Sequence, residues 1–233
     1  MKLGLFGDVH ANLPALEAVL AALGREDVDS YLCTGDLVGY GPNPNECIRM
    51  VRELGVPAVA GNHDLIALGR LSYARCIPFA RRTLAWTTTV LGAEEALWLS
   101  SLPLRLEEHA VAVAHGTLAS PEEYVAHRRH AVRVLRASGA RTLVLGHTHR
   151  PLRARADEAL LVNPGAVGQS RELRARARCA ILDVKANEVR FLAVPYDVER
   201  VRADLRSAGL PEQGPHLRPS VARATARALR AWL

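Results

Sequence analysis

No stretch of this 233-residue chain is apolar for long enough to cross a bilayer, which takes roughly 20 residues in a helix. A membrane partner is therefore not expected. The opening residues, Met1 to Asp8, run as a short apolar segment into an acid. They lack the apolar core and small-residue cleavage site of a secretory leader, so a cytoplasmic protein is expected. Cysteine is scarce: Cys33, Cys47, Cys76 and Cys179 are widely spaced and form no CxxC pair. Without an export signal, free thiols are expected rather than a disulfide framework. There is no internal repeat and no low-complexity segment. One domain over residues 1–233, large enough to bury a sizeable core, is the simplest organisation.

The remaining composition is that of an ordinary globular chain, 49% hydrophobic and 23% charged, with mean hydropathy near zero. The net charge of +6 comes almost wholly from arginine. Arg128, Arg129, Arg133 and Arg136, and again Arg223, Arg227 and Arg230, are interleaved with Ala and Leu, as on solvated helix faces. A nucleic-acid partner would need these arginines to converge on one groove, so it is not favoured.

The informative pattern lies in how apolar runs end. Lys2–Phe6 reads as a strand followed by Gly7-Asp8-Val9-His10. Residues two apart in extended chain point the same way, so Asp8 and His10 can reach one metal together. A helix over Pro14–Gly24, with Asn12 as its cap, completes the start of a βαβ unit. Ser30–Thr34 is a second strand and runs into Gly35-Asp36 and a glycine-rich loop. Asn45 is expected to cap a helix over Glu46–Leu54. Pro57–Ala60 reads as a third strand, ending in Gly61-Asn62-His63-Asp64. Residues 65–106 change character and read as a helical insert, with helices at Ala67–Ala74, Phe79–Val90 and Ala93–Leu99. Trp86 and Trp98 fall on apolar faces and read as packing residues.

Further strands are expected at Ala110–Ala114, ending in His115-Gly116, and at Thr142–Leu145, ending in Gly146-His147-Thr148-His149. Between them Pro121–Ala137 reads as a helix with His127 and His130 on its surface. Ala159–Val162 leads into a turn-rich loop from Asn163, and Ala180–Val184 and Glu188–Val194 form a closing hairpin. Residues 196–233 form a C-terminal helical extension, with a helix at Val198–Ser207, a Gly/Pro-rich break and a last basic helix. The candidate ligands at the strand ends are Asp8, His10, Asp36, Asn62, His115, His147 and His149. Seven mixed nitrogen and oxygen ligands exceed the needs of one ion and suit two.

Five motifs, Gly7-Asp8-Val9-His10, Gly35-Asp36, Gly61-Asn62-His63-Asp64, His115-Gly116 and Gly146-His147-Thr148-His149, resemble in order those of the calcineurin-like metallophosphoesterases. The stretches Leu37–Cys47 and Asn163–Gln169 resemble the bacterial and archaeal branch of small, YfcE-like phosphodiesterases. One residue departs from the family pattern: Ala11 stands where Gly is usual after the first His. The resemblance implies an α/β fold, a four-layer α-β-β-α sandwich of two mixed sheets. It also implies that Asp8, His10, Asp36 and His149 hold one divalent metal and that Asp36, Asn62, His115 and His147 hold a second. Two cations roughly 3.5–4 Å apart need an anion between them, the place the resemblance gives to Asp36 and a bridging hydroxide. Mn2+ is favoured by the resemblance, with Fe, Zn2+, Ni2+ and Co2+ also suited to such ligands.

By the same resemblance His63 protonates the leaving oxygen or binds the phosphate. Asp64 either orients His63 or caps the helix that follows. Asn12, Tyr40 and Arg150 lie near the ligands and are candidate substrate contacts. The function implied is a dimetal phosphodiesterase attacking a small nucleotide-type substrate, such as a cyclic nucleotide or dinucleoside polyphosphate. The alternatives are a serine/threonine phosphatase or phosphomonoesterase, and a non-catalytic scaffold on the same fold. Apolar faces left open on the insert or the C-terminal helix would point to an oligomer.

Overall fold

The computed structural model describes residues 1–171, 175–212 and 217. Nine strands form two mixed sheets. The first has four strands in the order β2 (Ser30–Cys33), β1 (Lys2–Phe6), β8 (Ala177–Asp183), β9 (Glu188–Val194). The second has five, β3 (Arg105–Glu108), β4 (Val111–Ala114), β5 (Thr142–Val144), β7 (Ala159–Asn163), β6 (Leu152–Ala156). β1–β2, β4–β5 and β5–β7 are parallel; the outer pairs β8–β9, β3–β4 and β6–β7 are antiparallel, as is β1–β8.

The period of two along each strand explains the layers. Leu3 and Leu5 of β1 face Val111, Val113, Val144, Leu160 and Val162 of the other sheet, all buried. Phe6, Cys33, Cys179 and Ile181 cover the opposite face of the first sheet. They pack on helices α1 (Leu13–Gly24) and α2 (Pro44–Glu53) through Leu16, Val19, Leu23, Ile48 and Val51. Leu143, Leu161, Ala154 and Ala156 do the same for the second sheet, against Ala131 and Leu135 of a helix over Arg128–Ser138. The result is the expected four-layer α-β-β-α sandwich.

Several local expectations are corrected. α2 starts at Pro44 with Asn43 at its cap position, since proline's fixed φ suits the first helical turn. Asn45 instead ties the insert down: its Nδ2 donates to Val90 O at 2.8 Å and its Oδ1 accepts from Gly92 N at 2.9 Å. Pro57–Ala60 is not a strand but a single parallel bridge, Cys33 to Ala58.

The helix expected at Ala67–Ala74 lies earlier, as α3 (Asn62–Ala67), ended by Gly69 at φ +69°. A 3-10 turn at Tyr73–Arg75, α4 (Pro78–Val90) and α5 (Ala93–Ser101) complete the insert, which gives way to strand β3 at Arg105. Trp86 and Trp98 are partly buried against apolar clusters. The helix expected over Pro121–Ala137 forms only at α6 (Arg128–Ser138). His127 is exposed, and His130 is half-buried against Glu123 at 3.0 Å. α7 (Val198–Ser207) forms as expected, capped by Asp197. The last basic helix lies outside the described residues.

Candidate metal centre

The seven candidate ligands come together where strands of both sheets end. β1 and β2 deliver Asp8, His10 and Asp36; β4 and β5 deliver His115, His147 and His149; Asn62 is the first residue of α3. The loops that hold them turn sharply. Asp8, His10, Asp36, His147 and His149 all have φ between +48° and +69°, a region that costs a side chain roughly 1–2 kcal/mol. Ala11 is there too, at φ +51°, so the turn that usually takes Gly keeps its left-handed shape with Ala. Strained backbone concentrated at one place marks a functional site.

Backbone contacts fix the side chains. His10, His115 and His149 each give Nδ1–H to a carbonyl: Val38 O at 3.1 Å, Thr34 O at 2.8 Å and Gln169 O at 2.8 Å. With that tautomer the Nε2 of His10 and His149 is a free lone pair, and that of His115 becomes one when its second proton is lost, the usual arrangement behind a metal-binding imidazole. Asp36 Oδ1 accepts from His63 N at 2.8 Å and Asp8 Oδ1 from His147 N at 3.1 Å. Gly61 makes room for this: a Cβ there would stand 2.0 Å from Asp36 Oδ1.

The free ends then face one another. His10 Nε2 and His149 Nε2 are 3.0 Å apart. His115 Nε2 is 3.2 Å from His147 Nδ1 and 3.0 Å from Asn62 Oδ1. Asp36 Oδ2 lies between the groups, 3.6 Å from His10 and 3.3 Å from His115. Asp8 Oδ2, Asp36 Oδ2 and His147 Nε2 are buried without any hydrogen-bond partner.

The ionisation of the groups fits the same picture. Burial pushes His10 and His149 well below the usual imidazole range, so no proton bridges their facing lone pairs. Burial and the neighbouring His115 take His147 down to about 3. Asp8 is pushed up to about 7 by burial. His115 is held up to about 9, because the charges of Asp36 and Asp8 outweigh its burial. Buried lone pairs packed against each other with orphaned carboxylate oxygens repel unless a cation sits among them. Two overlapping groups have that form, Asp8, His10, Asp36 and His149, and Asp36, His115 and His147, with ligand atoms inside 4.8 Å of one another. Asp36 belongs to both. The donor set therefore fits divalent metals.

A cavity of about 320 Å3 opens onto these groups, lined by Asp36, Asn62, His147 and His149 together with Tyr40 and His63. The ring of His63 stands 4.7 Å from those of both His10 and Tyr40, and its Nδ1 is buried and unpartnered. No hydrogen bond joins Asp64 to it. The Asp64 carboxylate accepts from Leu37 N at 2.8 Å, Val38 N at 3.1 Å and Gly61 N at 2.9 Å, so it caps α3 and pins the loop after Asp36. Asn12 is occupied as well: its Oδ1 caps α1 through Ala15 N and its Nδ2 donates to Gly168 O, and it does not line the cavity. Arg150 is exposed and also lies off the cavity.

Among the residues of the cavity wall that the sequence did not single out, four can hydrogen-bond or carry charge: Arg75, Glu122, Tyr124 and Arg171. Their motif context is silent, since both arginines look like the many scattered elsewhere. A larger cavity of about 660 Å3, beside α6 and Arg105, holds none of the candidate ligands. No helix among the described residues is long and apolar enough to cross a membrane.

Residues 1–187 match the calcineurin-like phosphoesterase superfamily domain. A metallophosphoesterase from Sphaerobacter thermophilus has a similar structure, with a TM-score of 0.80 and 41% identity, over 91% of this chain and 95% of that one. An uncharacterized protein of Methanocaldococcus jannaschii is 31% identical over 231 residues, 90% of this chain and 94% of its own. A symmetrical bis(5'-nucleosyl)-tetraphosphatase of Pectobacterium carotovorum is 46% identical over 68 residues, 28% of this chain and 24% of that protein. The chain belongs to the calcineurin-like phosphoesterase superfamily, as a metal-dependent phosphoesterase.

Proposed function

We propose that this protein hydrolyses phosphodiesters or phosphoanhydrides of nucleotide type at a two-metal centre. Asp8, His10, Asp36 and His149 would hold one ion and Asp36, Asn62, His115 and His147 the other, with Mn2+ the preferred metal. The observation that carries the reading is Asp36, whose unpartnered Oδ2 belongs to two ligand groups opening on the same cavity. When bound, the ions supply an activated water at neutral pH and stabilise charge on the phosphoryl oxygens.

The chain's own residues do the rest. Asn62, His147 and His149 line the cavity, so these candidate ligands are reached from the space a substrate would enter. Burial lowers the pKa of His63, so it is a neutral imidazole at pH 7. In that state it serves as an N–H donor to a phosphoryl oxygen; delivering a proton to the leaving group would require it first to take one up and act as the imidazolium. Tyr40, edge-on to His10 at 4.7 Å, forms an apolar side of the cavity. A volume of about 320 Å3 is at the small end for ligand pockets, which favours a small ester over a phosphorylated protein loop. The short match to a dinucleoside tetraphosphatase supports the nucleotide class.

The test is hydrolysis of bis-p-nitrophenyl phosphate and p-nitrophenyl phosphate by metal-stripped protein resupplied with single metals. Metal-dependent diester cleavage, lost in Asp36→Ala and lowered roughly 100-fold or more in His63→Ala, is the expected result. Cleavage of the monoester alone would replace this reading with a phosphomonoesterase.

A further inference from the structure

The reading above leaves two arginines of the cavity unused. Arg171 follows the Asn163–Gln169 loop, and its Nη2 donates to Tyr124 Oη at 3.0 Å. Its guanidinium carbon stands 5.6 Å from the Tyr124 ring centroid, within cation–π range. The Tyr124 ring in turn lies 4.1 Å from that of His147. A continuous chain of side-chain contacts therefore runs from the ligand cluster out to Arg171. No carboxylate among the described residues pairs with Arg171, so a neutral hydroxyl positions the cation without cancelling its charge.

Arg75 reaches the same cavity from the helical insert. Its Nη1 is 3.6 Å from Glu122 Oε2, and its side chain is 73% exposed. An ion pair so open to water is weak, and an incoming anion can exchange for the carboxylate. Glu122 and Tyr124 share one loop, so both arginines are steadied from the same side. A phosphoester bound at the ligand cluster would thus meet one guanidinium with no carboxylate partner among the described residues and a second that is loosely held.

We propose that Arg171 and Arg75 form a second anion subsite, which selects substrates carrying another ionised phosphoryl group beside the one at the metal centre. The class is a nucleotide phosphoanhydride rather than a simple diester. The inference rests on the hydrolase reading of this cavity. Guanidinium groups suit the task because their donor forks match phosphoryl oxygens. Glu122 acts as the built-in competitor, holding Arg75 until a stronger anion arrives.

The test compares kcat/KM for diadenosine tetraphosphate and for bis-p-nitrophenyl phosphate in Mn2+-loaded protein. Calorimetric binding of AMP and α,β-methylene-ADP is measured beside it. The wild-type protein is expected to prefer the tetraphosphate and the diphosphate. Arg171→Ala should lower the tetraphosphate-to-diester ratio at least tenfold, chiefly through KM, and Arg171→Lys should keep most of it. Glu122→Gln should move the other way and tighten the diphosphate. A ratio unmoved by both Arg171→Ala and Glu122→Gln, or a parallel fall on both substrates, overturns the subsite while hydrolysis stands. If neither substrate is cleaved but Arg171→Ala still erases the diphosphate preference, the hydrolase reading fails and the subsite survives.

Discussion

Replacing Asp64 by Asn separates two roles that its position beside His63 confounds. The carboxylate is fully buried and accepts three backbone N–H groups, from Leu37, Val38 and Gly61, at 2.8–3.1 Å. Burial raises the Asp64 carboxyl to about 7, so at pH 8 it is charged; each hydrogen bond to a charged acceptor contributes roughly 1.5–3 kcal/mol, and one to a neutral acceptor roughly 0.5–1.5 kcal/mol. Asn can offer its carbonyl to Leu37 and Val38 but sets its NH2 against Gly61 N–H. One charged bond is lost and two are weakened, about 3–5 kcal/mol in all. For a chain of this size 1 kcal/mol moves Tm by about 2–4 °C, so a fall of roughly 10 °C is expected in thermal melts at pH 8. The loop so loosened carries Asp36 and Val38 O, the acceptor of His10 Nδ1, so Mn2+ affinity by calorimetry should fall with it. A variant with wild-type Tm and metal affinity but a depressed kcat and a displaced acid limb of the pH–rate profile would refute this. Asp64 would then act through His63.

Gly61→Ala should cost at least an order of magnitude in Mn2+ affinity while circular dichroism stays native-like. The new methyl would meet Asp36 at 2.0 Å from Oδ1 and 2.4 Å from the backbone N, and Asp36 cannot yield without leaving both ligand groups; unchanged affinity would mean that Asp36 is not a shared ligand. Metal binding should also release protons. At pH 7 His115, held up to about 9, carries a proton it must lose, and Asp8, pushed up to about 7, is half protonated. About one and a half protons per filled two-metal centre are therefore expected from calorimetry in buffers of different ionisation enthalpy. The sign follows: apparent affinity rises with pH up to about 9, and a flat profile between pH 6 and 8 would count against these two ligands.

What could be read in the sequence was the set of residues at strand ends. Asp8, His10, Asp36, His115, His147 and His149 each follow an apolar run, and the sheets bring those run ends together. The left-handed backbone at five of them was not legible, because nothing in an Asp or a His announces φ > 0; packing on both sides imposes it. Asn62 looked like another strand end. It is the first residue of a helix because the run before it makes only one bridge, with Ala60 N turned to Pro103 O instead of to a neighbouring strand. Asn45 looked like the cap of a helix over Glu46–Leu54, and Pro44 moved the helix start ahead of it.

The arginines show the limit of adjacency as a guide. Arg150 directly follows a ligand, yet after β5 the chain leaves the site at once and Arg150 is exposed. Arg171 lies far along the chain from His147 and on the opposite side of the β6–β7 hairpin. The loop after β7 returns it to the cavity, where Tyr124 from a third segment receives it. Ligand identity is written at the ends of single strands and so survives in short motifs. On the proposed reading, substrate preference is written in the meeting of the insert, the loop after β4 and the loop after β7, three segments that no local pattern joins. That division places the chemistry of this fold in its strand ends and the choice of substrate in its loops.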